Sequence, residues 1–177
     1  PEAVREQALL CGIHSGARVL DVGCGSGKAS SILHEIVGPQ GEVVGVDYSE
    51  DRLRYAREHF GDTLGIRFQL ADFTRPMDHL GTFDFIWVRF VLEYFLQEAP
   101  SIVANLTRHL KPNGRLCLLD LDNNSMNHYP FPEVMATTIT ALMKLGETAY
   151  DFDPYAGRKL YSYLYDLGYR DIRIHMV

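Results

Sequence analysis

The sequence has few of the features that mark membrane, secreted or nucleic-acid-binding proteins. No apolar run approaches the roughly 20 residues that cross a bilayer, and no signal peptide opens the chain. Basic residues are scattered and outnumbered, 17 Lys and Arg against 23 Asp and Glu, for a formal net charge of -6. That sign disfavours a nucleic-acid partner and an anionic membrane surface. We expect a cytoplasmic protein with no membrane span that acts on a small molecule.

Cysteine is also scarce, with 3 residues among 177. Cys11, Cys24 and Cys117 are odd in number and far apart, without a CxxC pair or a histidine at ligand spacing. This distribution is typical of reduced core thiols in a cytosolic protein. The 7 histidines form no recognisable metal set either, so no metal is predicted.

What the chain does contain is a regular alternation of strand-like and helix-like segments. Apolar, β-forming segments fall at 19–22, 42–47, 66–70, 83–88 and 115–121, and helical patterns between them at 28–37, 49–60 and 98–110. Short links between such elements favour a parallel sheet with helices on both faces. The pattern predicts an α/β, Rossmann-like doubly wound, mostly parallel sheet, with ligands at the carboxyl ends of its strands.

The last third of the chain has a different composition. Residues 123–155 are rich in aromatics and prolines, which suggests a lid-like insertion over the site. Inside it Met135, Ile139, Leu142 and Met143 recur at helical intervals, as in a lid helix or an ordinary core helix. A helix over 157–167 and a strand over 172–177 follow. We predict a single domain over 1–177, with a core at 1–122, the insertion at about 123–155 and a C-terminal helix and strand at 156–177.

The stretch from Val19 to Gly27 is the most specific feature, because a buried strand runs directly into a glycine turn and a helix. Glycines at 23, 25 and 27 let a ligand approach the backbone, and the helix start offers free N–H groups. This predicts an adenosyl cofactor. A dinucleotide fingerprint, GxGxxG, needs its third glycine at position 28, which is Lys28, so NAD is disfavoured.

Five stretches together resemble the class I S-adenosylmethionine-dependent methyltransferases. They are VLDVGCGSG at 19–27, VVGVD at 43–47, LADF at 70–73, FDFIWVRFVLEYF at 83–95 and LKPNGRLCLLD at 110–120. RFVLEYF and, near the end, GRKLYSYLYDLGY look like the small-molecule and quinone-type branch of that family. The resemblance covers about two thirds of the chain and implies the class I methyltransferase fold.

The resemblance also implies a set of residues that bind S-adenosylmethionine and its product S-adenosylhomocysteine. Gly23, Cys24, Gly25 and Gly27 would pass beside the methionine portion, and Asp21 would orient the turn or meet the amino group through water. Arg89 would lie near the same portion, or form a structural ion pair with Glu93 or another acid. The alternative interpretation is a structural glycine turn that joins the strand to the helix and binds no ligand.

The remaining predicted contacts concern the nucleoside. Asp47 would accept hydrogen bonds from both ribose hydroxyls and repel the 2′-phosphate of NADP, unless it is simply a solvated strand-end acid. Asp72 would accept from the adenine amino group, with Ala71 and Phe73 framing the ring and Tyr48 stacking on it. For Phe73 and Tyr48, packing in the core is the competing interpretation.

Methyl transfer from a sulfonium is an in-line displacement, so it needs a base only if the acceptor must lose a proton. The candidates are Glu93, His128 and Tyr129. Aromatic residues in the insertion predict a small, apolar or aromatic acceptor. The alternatives are a non-catalytic module that binds S-adenosylmethionine and, third, an NAD-dependent oxidoreductase.

The resemblance is incomplete at the end of the chain. Sheets of this family have seven strands, with the last antiparallel between strands five and six, whereas this sequence ends in the predicted sixth. We therefore expect the last strand to be missing from this chain and the sequence to be a fragment of a longer protein.

Overall fold

The structure is a computed structural model that describes residues 2–123, 130 and 132–176. The chain divides into two compact units, Pro1–Arg89 with Ala104–Leu118, and Phe90–Val103 with Leu119–Val177. We refer to these as the first and the second unit. Within residues 2–123 and 132–176, no helix is both long enough and apolar enough to cross a bilayer.

The first unit is organised by a five-stranded sheet in the order β3-β2-β1-β4-β5. The strands are β1 Arg18–Val22, β2 Glu42–Asp47, β3 Ile66–Leu70, β4 Phe83–Arg89 and β5 Leu110–Leu119. The helices are α1 Glu2–Leu10, α2 Lys28–Val37 and α3 Glu50–Phe60, while α4 Ala99–Thr107 begins in the second unit and ends in the first. β1 pairs in parallel with β2 and β4, and β2 with β3. Strand order reverses at β1, so the predicted Rossmann-like arrangement is confirmed.

The core of this unit explains why its strands read as continuous apolar runs. Val19 and Val43 are fully buried and pack with Leu33 and Val37 of α2. Phe85 and Trp87 on β4 belong to the same cluster, with their rings stacked at 6.3 Å. A parallel strand covered by helices has no solvent face and therefore no polar alternation.

The second unit is mainly helical, with α5 at Glu133–Ala149 and α6 at Ala156–Asp166. Backbone hydrogen bonds connect its segments: Leu96 N donates to Asp151 O at 2.8 Å, and Asp153 N donates to Glu93 O at 2.7 Å. None of the residues of α5 is buried. The expected helix is present as α5. Because none of its residues is buried, its interpretation as an ordinary core helix is wrong for the part of the chain that the structure describes.

Most predicted bounds agree with the structure, but the region after α4 does not. The helix expected at 98–110 ends at Thr107, and the strand expected at 115–121 begins at Leu110. The turn-forming sequence Lys-Pro-Asn-Gly at 111–114, which follows the expected helix, lies inside β5. Asn113 adopts φ 63° there, a left-handed conformation that asparagine tolerates. The chain can thus turn locally without ending the strand.

The predicted strand over 172–177 is wrong for its described residues, 172–176, which are irregular. Ile174 and Met176 are 67% and 98% exposed. A run of β-forming residues becomes a strand only where its backbone finds a neighbouring strand. No strand pairs with this segment within the described part of the chain.

Candidate functional site

The glycine turn after β1 requires glycine at each of its three predicted positions. Gly23, Gly25 and Gly27 have φ of 68°, 55° and 81°, in the left-handed region that side chains disfavour. Gly23 N and Cys24 N both donate to Val46 O, at 2.8 and 3.0 Å. The turn is thereby held against the carboxyl end of β2, the edge at which ligands of such sheets bind.

Gly27 and Gly25 differ in the space that surrounds them. A Cβ at Gly27 would lie 2.7 Å from Phe68 Cζ and 2.9 Å from Ala56 Cβ, so this position serves packing. A Cβ at Gly25 would meet nothing within 4 Å. The turn therefore leaves open space beside Gly25.

Asp47 connects this turn to the start of α3. Its Oδ2 accepts from Gly25 N at 2.9 Å, and its Oδ1 accepts from Ser49 N at 2.9 Å. Ser49 is the N-cap of α3, because its Oγ accepts from Arg52 N at 3.4 Å. Asp47 is 1% exposed, which contradicts the alternative of a solvated acid. Each carboxylate oxygen keeps a further lone pair for a ligand.

Asp21 lies below the turn, on β1, and is 2% exposed. Burial raises its pKa to about 7, while a hydrogen bond from Ser30 opposes that rise. Ser30 Oγ donates to Asp21 Oδ2 at 2.6 Å and so joins β1 to α2. The sequence interpretation missed Ser30, whose signal was a small polar residue on the inward face of α2 with Leu33 and Val37.

Arg89 interacts with Asp21 from the end of β4. Asp21 lies opposite Trp87 in the register of β1 and β4, so Arg89, two residues on, shares its face. Burial lowers the pKa of Arg89, and the charge of Asp21 raises it. The charge of Asp21, a residue of the same unit, therefore acts on the Arg89 guanidinium.

The predicted aromatic pair divides into one buried and one exposed ring. Phe73 is 1% exposed, and Tyr48 is 63% exposed. Their rings meet edge to face, with centroids 6.5 Å apart. Phe73 thus packs in the core and supports Tyr48, whose other surface is open to a ligand. The neighbouring Ala71 is buried, and its N donates to Asp47 O at 3.0 Å.

Asp72 contacts Thr74 and Arg75, two and three residues further along the chain. Its Oδ1 accepts from Thr74 N at 3.1 Å and from Thr74 Oγ1 at 2.5 Å, and its Oδ2 lies 3.3 Å from Arg75 Nε. The side chain is 54% exposed, so its carboxylate remains accessible. Its role toward adenine stays a prediction.

Cys24 contributes its backbone N–H to the turn. Its side chain is buried and packs with Leu53, Ala56, Ile66 and Phe68. Burial raises the pKa of this thiol, with the nearby carboxylates of Asp21 and Asp47 adding to the rise. We therefore assign the Cys24 sulfur to the core.

Of the three candidate bases, only Glu93 lies among the described residues; His128 and Tyr129 lie outside them. Glu93 belongs to the second unit and is 4% exposed. Burial and the charge of Asp120 raise its pKa to about 7, and a hydrogen bond from Tyr94 opposes them. Asp120 Oδ2 accepts from Leu92 N at 2.8 Å and from Glu93 N at 3.2 Å.

A family model described as a methyltransferase domain matches residues 13–166 of this chain. Phosphoethanolamine N-methyltransferase 3 from Arabidopsis thaliana is 31% identical over 120 residues, which are 67% of this chain and 24% of that protein. Demethylmenaquinone methyltransferase from Staphylococcus aureus strain JH9 is 29% identical over 109 residues, or 62% of this chain and 45% of that protein. The chain thus spans less than half the length of these curated relatives.

A solved structure gives the same comparison for the fold. A SAM dependent methyltransferase from Aquifex aeolicus superposes with a TM-score of 0.60 and 26% sequence identity. The match covers 79% of this chain and 77% of that one. The arrangement of strands and helices is therefore shared over most of both chains.

Proposed function

The chain belongs to the class I S-adenosylmethionine-dependent methyltransferases, and on that premise we propose that it transfers a methyl group from S-adenosylmethionine to a small acceptor. One observation carries this proposal: the three left-handed glycines of the turn, with Asp47 fixing the middle one through Gly25 N. That arrangement leaves open space over the backbone where an adenosyl ligand would lie.

The residues present fit the cofactor. Asp47 retains lone pairs for the ribose hydroxyls, and Tyr48 offers an open aromatic surface to the adenine. No described side chain caps the start of α2, so its first N–H groups are suited to the methionine carboxylate. When bound, S-adenosylmethionine supplies an electrophilic methyl group on a positively charged sulfur.

Asp21 and Arg89 would set the charge around the methionine portion. Deprotonated Asp21 attracts a cationic amino group, and the bond from Ser30 holds its carboxylate in one orientation. Because its pKa is about 7, we expect cofactor affinity to fall as the pH drops below 7. Asp72, Ala71 and Phe73 complete the proposed adenine surroundings, Phe73 by supporting Tyr48.

The chemical step needs alignment more than acid or base. Holding the acceptor in line with the bond that breaks can contribute about 7 to 11 kcal/mol. Where the acceptor must lose a proton, Glu93 is suited to take it, because a base with a pKa near 7 is matched to neutral pH. His128 and Tyr129 remain candidates for the same role.

We further propose a small, apolar or aromatic acceptor. The relatives are named for phosphoethanolamine and demethylmenaquinone, both small molecules, and the second is a quinone. Aromatic residues of the second unit, including Tyr150 and Phe152, agree with such an acceptor. We propose a cytoplasmic location, since nothing in the composition points to a membrane or nucleic-acid partner.

The test combines binding with turnover. We would titrate the protein with S-adenosylhomocysteine and with NADH by calorimetry, and then measure radiolabelled methyl transfer into a metabolite extract. We expect S-adenosylhomocysteine binding and at least one labelled product. Tighter binding of NADH would overturn the cofactor assignment. Binding without any labelled product at saturating cofactor would favour the non-catalytic module instead.

A matched pair of variants serves as the control. Gly25 and Gly16 both have positive φ, at 55° and 77°, and neither would bring a Cβ within 4 Å of another atom. Gly25→Ala and Gly16→Ala should therefore carry similar backbone strain. Only Gly25→Ala should weaken S-adenosylhomocysteine binding, because only that Cβ enters the proposed ligand space.

A further inference from the structure

Two cysteines that are far apart in the sequence lie side by side in the first unit. Cys11 follows α1, and Cys117 is in β5. Their Sγ atoms are 2.6 Å apart. The sequence pattern predicted three isolated thiols. It could not show this proximity, since β5 brings Cys117 to the end of α1 only in the folded chain.

We propose that Cys11 and Cys117 form a reversible disulfide when the folded protein meets a low-molecular-weight disulfide such as glutathione disulfide. The sulfur atoms are within about 0.6 Å of the length of a disulfide bond, about 2.0 Å, so the bond requires little movement. This modification is independent of the proposed methyl transfer. Both thiols are free in the structure.

The surroundings make the two thiols unequal. Cys11 is partly exposed, whereas Cys117 is 7% exposed, so a dissolved oxidant reaches Cys11 first. Hydrogen bonding with Cys117 and the charge of Arg115 lower the pKa of Cys11 against the effect of burial. Arg115 Nη1 also donates to Cys11 O at 3.2 Å, which keeps the guanidinium beside this cysteine. Thiolates are the reactive form, so Cys11 is the attacking group.

The exchange proceeds in two balanced steps. The Cys11 thiolate attacks one sulfur of glutathione disulfide, breaking its S–S bond and releasing one glutathione thiolate. The Cys117 thiol then loses its proton and attacks Cys11 Sγ, which expels the second glutathione. Two electrons pass to glutathione disulfide, which leaves as two glutathione molecules carrying the two protons. Excess reduced glutathione reverses both steps.

The bond would close a loop that contains the candidate cofactor residues. Positions 11 and 117 are 106 residues apart and enclose the glycine turn, Asp47 and Arg89. Cross-links that close long loops restrict the unfolded chain most and therefore stabilise the folded one. We expect oxidation to raise the Tm by about 5 to 15 °C.

The experiment equilibrates the full chain in glutathione buffers of rising oxidised fraction, followed by acid quench. The intact mass should fall by about 2 Da, as expected for two lost hydrogens. Titratable thiols in denaturant should fall from three to one. Trypsin separates the three cysteines into peptides 6–18, 19–28 and 116–144, so a peptide joining the first and third identifies the bond.

Variants distinguish this bond from other oxidation products. Cys11→Ser and Cys117→Ala should each abolish the 2 Da loss, and Cys24→Ala should retain it. Glutathione attached to Cys11 alone, a bond to Cys24, a disulfide between two chains, or a fully reduced wild type would each overturn the proposal. S-adenosylhomocysteine binding, measured on the same samples, reports separately on the proposed function.

Discussion

The two units differ in how completely their elements are buried. In the first unit, β1 and β2 are buried along nearly their whole length, and α2 buries Ile32, Leu33 and Val37. In the second unit, α5 buries no residue although it is the longest helix, and Leu142 is 58% exposed. The candidate cofactor residues belong to the first unit. The residues proposed for the cofactor therefore lie among extensively buried strands, whereas the aromatic residues proposed for the acceptor lie in the unit with the exposed α5.

The same comparison applies to the buried acids. Asp21 in the first unit and Glu93 in the second both have a pKa of about 7. Burial and the charge of Asp47 raise the pKa of Asp21, while the hydrogen bond from Ser30 and the charge of Arg89 favour its charged form. Glu93 has Asp120 as a neighbour, and like charge favours its protonated form. The two acids thus differ in that the charge of a cation, Arg89, acts on Asp21, whereas the charge that acts on Glu93 is that of another acid.

The largest expected effect comes from Gly27→Ala in the first unit. The new Cβ would contact Phe68 and Ala56 below 3.0 Å, and the backbone is held at φ 81°. Overpacking and left-handed strain together should cost about 2 to 5 kcal/mol. Urea denaturation measures the change in free energy of unfolding.

Gly168→Ala is the matched control in the second unit. Its φ is 77°, and a Cβ there would meet nothing within 4 Å. We expect only the backbone strain, about 1 to 2 kcal/mol. Equal losses for the two variants would mean that packing around Gly27 is no tighter than around Gly168, and the contrast between the units would fail.

The second prediction concerns pH. Asp21 and Glu93 titrate near 7 in the folded state, above the ordinary values of 3.8 and 4.5. Between about pH 4 and 7 the folded state therefore binds more protons than the unfolded state, and stability falls as the pH rises through that window. Asp21→Asn should flatten this fall by about 1 to 3 kcal/mol.

Urea denaturation from pH 4.5 to 8 measures this dependence. Glu93→Gln should flatten the same window through the second unit. Asn at position 21 can still accept from Ser30 through its side-chain oxygen, so the packing is retained. A wild-type curve parallel to that of Asp21→Asn would show that Asp21 is ionised across the window.

The third prediction is that Asp47→Ala weakens S-adenosylhomocysteine binding by about 1 to 3 kcal/mol. The variant loses the acceptor of Gly25 N as well as the proposed ribose contacts. Asp78→Ala is the control, because the Asp78 side chain is 74% exposed and its Oδ1 lies 3.7 Å from Arg108 Nη2. Calorimetry should show unchanged affinity for Asp78→Ala. Unchanged affinity in a folded Asp47→Ala would remove Asp47 from the site.

Much of the first unit could be predicted from sequence because its signals are local. β2, β3 and α2 have the expected bounds, since apolar runs between glycine turns specify them directly. The glycine turn was equally predictable, because the glycines at 23, 25 and 27 occupy positive φ, a conformation that favours glycine. In such segments local propensity, pattern and fold agree.

Other features depend on contacts between distant residues. The pairing of Asp21 with Ser30 and the approach of Cys11 to Cys117 exist only once the sheet has formed. The strand expected at 172–177 failed for the opposite reason, since its residues favour a strand but the described ones have no partner strand. Phe73 and Tyr48 could not be told apart before their burial was known.

The smallest expected effect tests the exposed face of α5. Leu142→Ala should cost less than about 0.5 kcal/mol, because alanine favours the helix and the removed side chain is largely exposed. Leu53→Ala, at a fully buried leucine of α3, should cost about 2 to 5 kcal/mol. Denaturation of both variants compares the units with the same substitution. A loss above about 2 kcal/mol at Leu142 would mean that α5 is covered in solution, and the second unit would then be as firmly packed as the first.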